Sequence, residues 1–164
     1  MQAGKSLKKI NAKFSMIQCS FMMSFSAIVG FSVVLLQSRN FKSSEIGIIL
    51  AVECVASVIS QTFLGSFADK NKKIPLKRIL LVIMILSFII NMILMVIPSE
   101  FFITMFIFIM IGMTEYSATG LINSLAIQFV NIGIPVNFGL ARGLGSLAYA
   151  AGGFIIGKVV TQSG

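Results

Sequence analysis

Glu53, Glu115 and Arg142 are ionisable residues set within long apolar stretches, and that setting limits the chemistry open to them. A charge at the centre of a hydrocarbon layer costs about 2.5–3.5 kcal/mol even on lenient scales, so such residues face protein or water and need partners. Glu115 stands fourteen residues beyond Phe101, where its apolar stretch begins, which is about 21 Å along a helix rising 1.5 Å per residue. Arg142 lies a few residues inside the next stretch, approached from the opposite direction, so the two reach a similar depth. They could form a structural ion pair, or Arg142 could meet a bound solute while Glu115 partners it. Glu53, near the middle of its own stretch, could take up a proton or face a water-filled cleft. Asn123 belongs to the polar second half of the Glu115 segment, with Thr114, Tyr116, Ser117 and Thr119. Arg142, Ser146, Tyr149 and Gly153 follow one another at spacings of four, three and four, which puts them on one helical face.

Enzymatic chemistry finds no footing here. The sequence holds no histidine, and no nucleophile, base and orienting residue can be assembled without one. Cys19 and Cys54 both fall in apolar stretches, so neither a disulfide framework nor a Cys/His metal site is supported. The chain is read as no enzyme, with no metal and no cofactor.

The elements that must carry these residues are long helices in lipid. Apolar residues make up 57% of the chain, charged residues 11%, and the mean hydropathy is +0.98, far from the soluble range of about 45–50% apolar and 25% charged. The expected fold is an all-α integral membrane protein with five transmembrane helices, each near the ~20 residues that span the hydrocarbon. The spans are read over 14–37, 46–67, 79–97, 101–130 and 137–160, after a cytoplasmic basic arm at 1–13, with a cytoplasmic loop at 68–78. The first apolar core is too long for a signal peptide. Ser43 or Ser44 is expected to cap the second span with Glu45 in its first turn, Pro75 to favour the start of the third, and Asn131 to Pro135 to form the last turn.

Charge sets the orientation. Ten basic residues, among them Lys5, Lys8, Lys9, Lys13, Lys70, Lys72, Lys73, Lys77, Arg78 and Arg142, fall on or near the side of the amino terminus; Arg39, Lys42 and Lys158 fall on the other. The amino terminus is therefore expected in the cytoplasm, with the chain multi-pass in the cell (inner or plasma) membrane. The net charge of +8 is gathered in loops on one side rather than along a polar face, so no nucleic acid is expected as partner. The lipid bilayer is. Gly139-x-x-x-Gly143 and Gly153-x-x-x-Gly157 are small-residue steps suited to close helix contact.

Two stretches carry a resemblance. Gly65, Ala68 and Asp69, with Lys70 and Lys73 in place of the usual arginines and Lys72 where a second glycine is common, resemble the loop signature of the major facilitator superfamily of secondary transporters. The resemblance implies a gating loop, in which Asp69, Lys70 and Lys73 latch the cytoplasmic side against a helix end of the opposite half. Phe138-Gly139-Leu140-Ala141-Arg142-Gly143-Leu144-Gly145-Ser146 is similar to the start of the fifth helix in the lactose permease group of oligosaccharide:proton symporters and its nucleoside-transporting relatives. Ser43-Ser44-Glu45-Ile46-Gly47-Ile48-Ile49 and Gln61-x-x-x-Gly65-x-x-x-Asp69 match the same group. There the arginine matching Arg142 binds substrate hydroxyls and is held by an acid on helix four. The matching position here is Asn123 or Ser124, so that acid is absent, and Glu115 is the nearest substitute.

The resemblance implies the amino-terminal part of a twelve-helix major facilitator fold, because five spans stand where the family has two halves of six. The implied activity is secondary active transport: proton-coupled uptake of a small polar solute such as an oligosaccharide or nucleoside, by alternating access. The partners would be that solute, protons, and a missing carboxy-terminal half or a complementing chain. The solute and proton pathway would use Arg142, Asn123, Glu115, Glu53 and Ser146. The alternative is a non-transporting truncated membrane fragment or accessory membrane subunit.

Overall fold

The computed structural model describes residues 2–71 and 73–163; Lys72 of the basic loop lies outside the described residues, as does the side chain of Lys5. Among the described residues every regular element is a helix: α1 (Gln2–Ile28), α2 (Ser32–Ser38), α3 (Ser43–Lys70), α4 (Leu76–Val96), α5 (Phe101–Asn131) and α6 (Phe138–Ser163). Five stretches of the described residues are long and apolar enough to cross a membrane: Leu7–Ser38, Ser43–Lys70, Leu76–Val96, Phe101–Asn131 and Phe138–Gln162. Phe63, Phe102 and Val96 are 73%, 76% and 86% exposed, so the outer surface is apolar where a water-soluble protein would be polar. The molecule is an integral membrane protein.

Two boundaries differ from the sequence reading. Residues 2–13, expected as an arm ahead of the first span, continue α1 without a break. The first span, expected as one helix over 14–37, is divided at residues 29–31 into α1 and α2. Ser32 accounts for part of the division, since its hydroxyl donates to the carbonyls of Ile28 and Val29, both at 2.9 Å. Gly30 lies in the division, where a Cβ would press on the Ser26 carbonyl and lie 3.1 Å from the Tyr149 hydroxyl.

The helix ends are chemically defined. At the start of α3 the Glu45 carboxylate reaches back to accept from the Lys42 N–H at 2.8 Å, while Ser43 and Ser44 lie inside the first turn instead of capping it. Pro75 immediately precedes α4, as its missing N–H favours. α5 ends in a left-handed glycine stop: Gly133 has φ +78°, its N–H meets the Val130 carbonyl at 3.0 Å, and the Ile134 N–H meets the Phe129 carbonyl at 2.9 Å.

The chain divides into two compact units, Met1–Ser32 with Ala126–Gly164, and Val33–Leu125. In the first, α1 packs along α6. Gly145 sits against Gln18 and Met22, Gly152 against Met23, Gly153 against Ser26 and Gly157 against Phe31, so the numbers rise together and the two helices run parallel. A Cβ on Gly145 would lie 2.9 Å from the Gln18 Cγ, a separation only glycine allows. Asn11 ties the turn before α6 to α1: its Oδ1 accepts from the Asn137 N–H at 2.7 Å and its Nδ2 donates to the Pro135 carbonyl at 3.4 Å.

In the second unit α3 and α5 are also parallel neighbours. Glu53 lies on Gly112, and seven residues further along α3 the Ser60 hydroxyl donates to the Met113 carbonyl at 2.6 Å and meets the Ser117 hydroxyl. Ile79, Leu80 and Ile83 of α4, Ile107, Phe108, Ile111, Leu121 and Ile122 of α5, and Ile46 and Ile49 of α3 form its buried apolar part. The Arg39 guanidinium donates to the Leu94 carbonyl near the end of α4.

Candidate functional site

Glu53 is carried by a stripe of α3. Ile46, Ile49, Glu53, Ser57 and Ser60 are buried and follow at steps of three and four, one side of a helix, so the apolar lower part of the stripe turns polar at Glu53. Its side chain is 2% exposed and rests on the backbone of α5 at Gly112, where a Cβ would come within 2.6 Å of the Glu53 carbonyl oxygen and 2.8 Å of its Cγ. The Glu53 Oε1 atom is enclosed and has no hydrogen-bond partner.

Glu115 lies three residues past Gly112 on the same helix and is equally buried. Its Oε1 accepts from the hydroxyl of Ser87 on α4. Ser87 is in turn held by Asn91, whose Nδ2 donates to the Ser87 carbonyl at 2.9 Å and to its Oγ at 3.3 Å. The carbonyl can only accept, which fixes the amide nitrogen on that side and leaves the Ser87 hydroxyl proton for Glu115. Glu53 packs on Gly112 of α5, and Glu115 follows one helical turn later on the same helix, so the two acids lie on neighbouring turns of one helix contact. The second unit thus gathers two acids and two neutral donors from three helices. Asn123 lies eight residues beyond Glu115 on α5, about 12 Å at 1.5 Å per residue, half-buried and with an enclosed Oδ1 that has no partner.

Arg142 and Ser146 belong to the other unit, on α6, and both side chains are exposed. The Ser146 hydroxyl donates back to the Arg142 carbonyl at 3.2 Å. Tyr149 continues the same face, its ring 6.4 Å from that of Phe25 on α1. Sequence depth made Glu115 a candidate partner for Arg142; the hydrogen bond that Glu115 makes within its own unit goes to Ser87. Gln18, which sequence reasoning passed over, packs on Gly145, three residues from Arg142; it is 1% exposed with an unpartnered Oε1. Ser87 was passed over as well. Both had a signal: Gln18 and Ser26 are polar residues two turns apart on apolar α1, and Ser87 and Asn91 are one turn apart on apolar α4.

The loop residues sit at the end of α3. Gly65 is half-buried with nothing within 4 Å of a Cβ placed on it, and Asp69, Lys70 and Lys73 are exposed. No curated protein and no solved structure matches the chain. The family model of the MFS_1 like family does match, over residues 15–164, from the first span through Arg142 to the last described turn of α6. With five apolar helices in place and nearly the whole chain inside that match, the protein belongs to the MFS_1 like family and is related to the major facilitator superfamily of transporters.

Proposed function

We propose that the chain works in secondary active transport, taking up a small polar solute such as an oligosaccharide or nucleoside together with protons, by alternating access in the cell membrane. The amino terminus is cytoplasmic in this reading, and a carboxy-terminal half or a complementing chain supplies the opposite wall. Arg142, Ser146 and Asn123 contact the solute, Glu53 and Glu115 serve the proton, and Gly65, Asp69, Lys70 and Lys73 form the cytoplasmic gate. The observation that carries the reading is Arg142: an exposed guanidinium on a helix of membrane-spanning length. It stands four residues into α6, where a guanidinium facing lipid would have to bend back to the interface, and in this reading the face of α6 that bears it lines a watery or protein-filled space instead.

The test is uptake in cells expressing the gene in its natural reading frame, with labelled oligosaccharides and nucleosides, in the presence and absence of a proton gradient. Arg142→Lys keeps the charge and loses the planar fork that makes paired hydrogen bonds. Gradient-dependent uptake lost in Arg142→Lys, with membrane insertion unchanged, is the expected result. Near-normal uptake by that variant removes Arg142 from the site. Absence of uptake for every solute, with the protein correctly inserted, favours the accessory-subunit reading instead.

A further inference from the structure

We propose that Glu53 is a proton-binding residue, its neutral carboxyl seated on Gly112, with Glu115 kept as the paired carboxylate by the fixed donor line from Asn91 through Ser87. The inference deepens the proton-coupled reading and rests on it only for the use to which the proton is put.

The two acids are not equivalent. Glu115 receives a hydroxyl proton whose direction is set by Asn91, which suits an anion. Glu53 has an enclosed oxygen with no donor at all, which suits a neutral acid and penalises a carboxylate. Nor do the helices around the pair bring a cation to it. On α3 the basic residue is Lys70, seventeen positions away at the helix end; on α4 Lys77 and Arg78 lie in the first turn, at least nine positions before Ser87. On α5 Glu115 is the single charged residue, with Tyr116 beside it, and Cys54 next to Glu53 is exposed on the other side of α3. Two buried acids on neighbouring turns, with no basic residue of α3, α4 or α5 beside them, are costly to charge together.

Space points the same way. Gly112 removes the Cβ that would strike the Glu53 Cγ, so α5 is shaped to take this side chain at contact distance. A metal ion would need further oxygens, and the Ser87 hydroxyl is already engaged on both sides, by Asn91 and by Glu115.

Infrared difference spectroscopy on membranes containing the chain tests this directly. A protonated buried carboxyl gives a C=O stretch apart from the carboxylate bands, shifted in heavy water. At neutral pH the wild-type chain is expected to show one such band, lost in Glu53→Gln and kept, with a shifted frequency, in Glu115→Gln and Ser87→Ala. If Glu53→Gln keeps the band and Glu115→Gln loses it, the assignment is reversed and the proposal fails. No band in the wild type at neutral pH, or one lost when potassium is replaced by sodium, overturns it too. Should Glu53→Gln fail to insert, the wild-type and Glu115→Gln spectra still decide, because a band surviving in Glu115→Gln requires another acid to carry the proton. Uptake independent of a proton gradient, with the band present, would remove the coupling and leave the site standing.

Discussion

Replacing Gly112 by alanine should separate α3 from α5, and the size of the effect follows from the contact. The added Cβ would stand 2.6 Å from the Glu53 carbonyl oxygen, 3.2 Å from its carbonyl carbon and 2.8 Å from its Cγ. Side-chain rotation can relieve the last of these but not the first two, which are backbone. Ordinary contact begins near 3.4 Å, so the helices must part by about 0.8 Å at this point. The Ser60 bond to the Met113 carbonyl, 2.6 Å long and one residue along α5, would stretch towards 3.4 Å and lose most of its worth. Overpacking costs about 1–3 kcal/mol and a lost hydrogen bond about 0.5–1.5 kcal/mol, so roughly 2–4 kcal/mol is expected in all. At about 2–4 °C per kcal/mol for a chain of this size, the midpoint of heat denaturation in mild detergent should fall by roughly 4–16 °C. Gly120→Ala is the control, on the same helix with nothing within 4 Å of the new Cβ, and should shift the midpoint little or upward. An unchanged midpoint for Gly112→Ala would refute the close approach of α3 to α5.

Ser87→Ala should destabilise by about 1–3 kcal/mol, the cost of leaving a buried Glu115 oxygen without its donor, and a heat-denaturation midpoint equal to wild type would mean that Glu115 does not depend on it. Asn11→Ala frees the turn before α6 from two side-chain bonds, each worth about 1 kcal/mol, so amide hydrogen exchange at residues 132–138 should quicken several-fold; no change there would show the turn to be held otherwise. With Cys19 and Cys54 replaced by serine, a cysteine at Lys73 should be labelled only from the cytoplasmic side and one at Lys42 only from outside, and external labelling at Lys73 would reverse the proposed orientation.

The spans were legible because hydrocarbon thickness sets an apolar length that the sequence states outright, as between Leu76 and Val96. The division of the first span was not, since it depends on what the Ser32 hydroxyl bonds. Glu53 and Glu115 stood out as acids in apolar stretches. That they share one cluster was invisible, because helical periodicity gives the face of a helix and not the neighbour it meets. Ser87 was overlooked because a lone hydroxyl in an apolar helix commonly bonds its own preceding turn. Its reach to Glu115 depends on α4 and α5 being packed together.

The parallel pairing of α1 with α6 also bears on how the protein is made. Asn11 and Asn137, which bond across that pair, are 126 residues apart in the chain. At synthesis rates of about 5–20 residues per second, α1 waits roughly 6–25 s in the bilayer before its partner has been made. During that interval Gln18 and Ser26, later covered by Gly145 and Gly153, have no α6 to lie against. The nascent first span therefore carries an uncovered polar stripe until α6 arrives, and a polar substitution on that same stripe should be felt as lost yield before it is felt as lost activity.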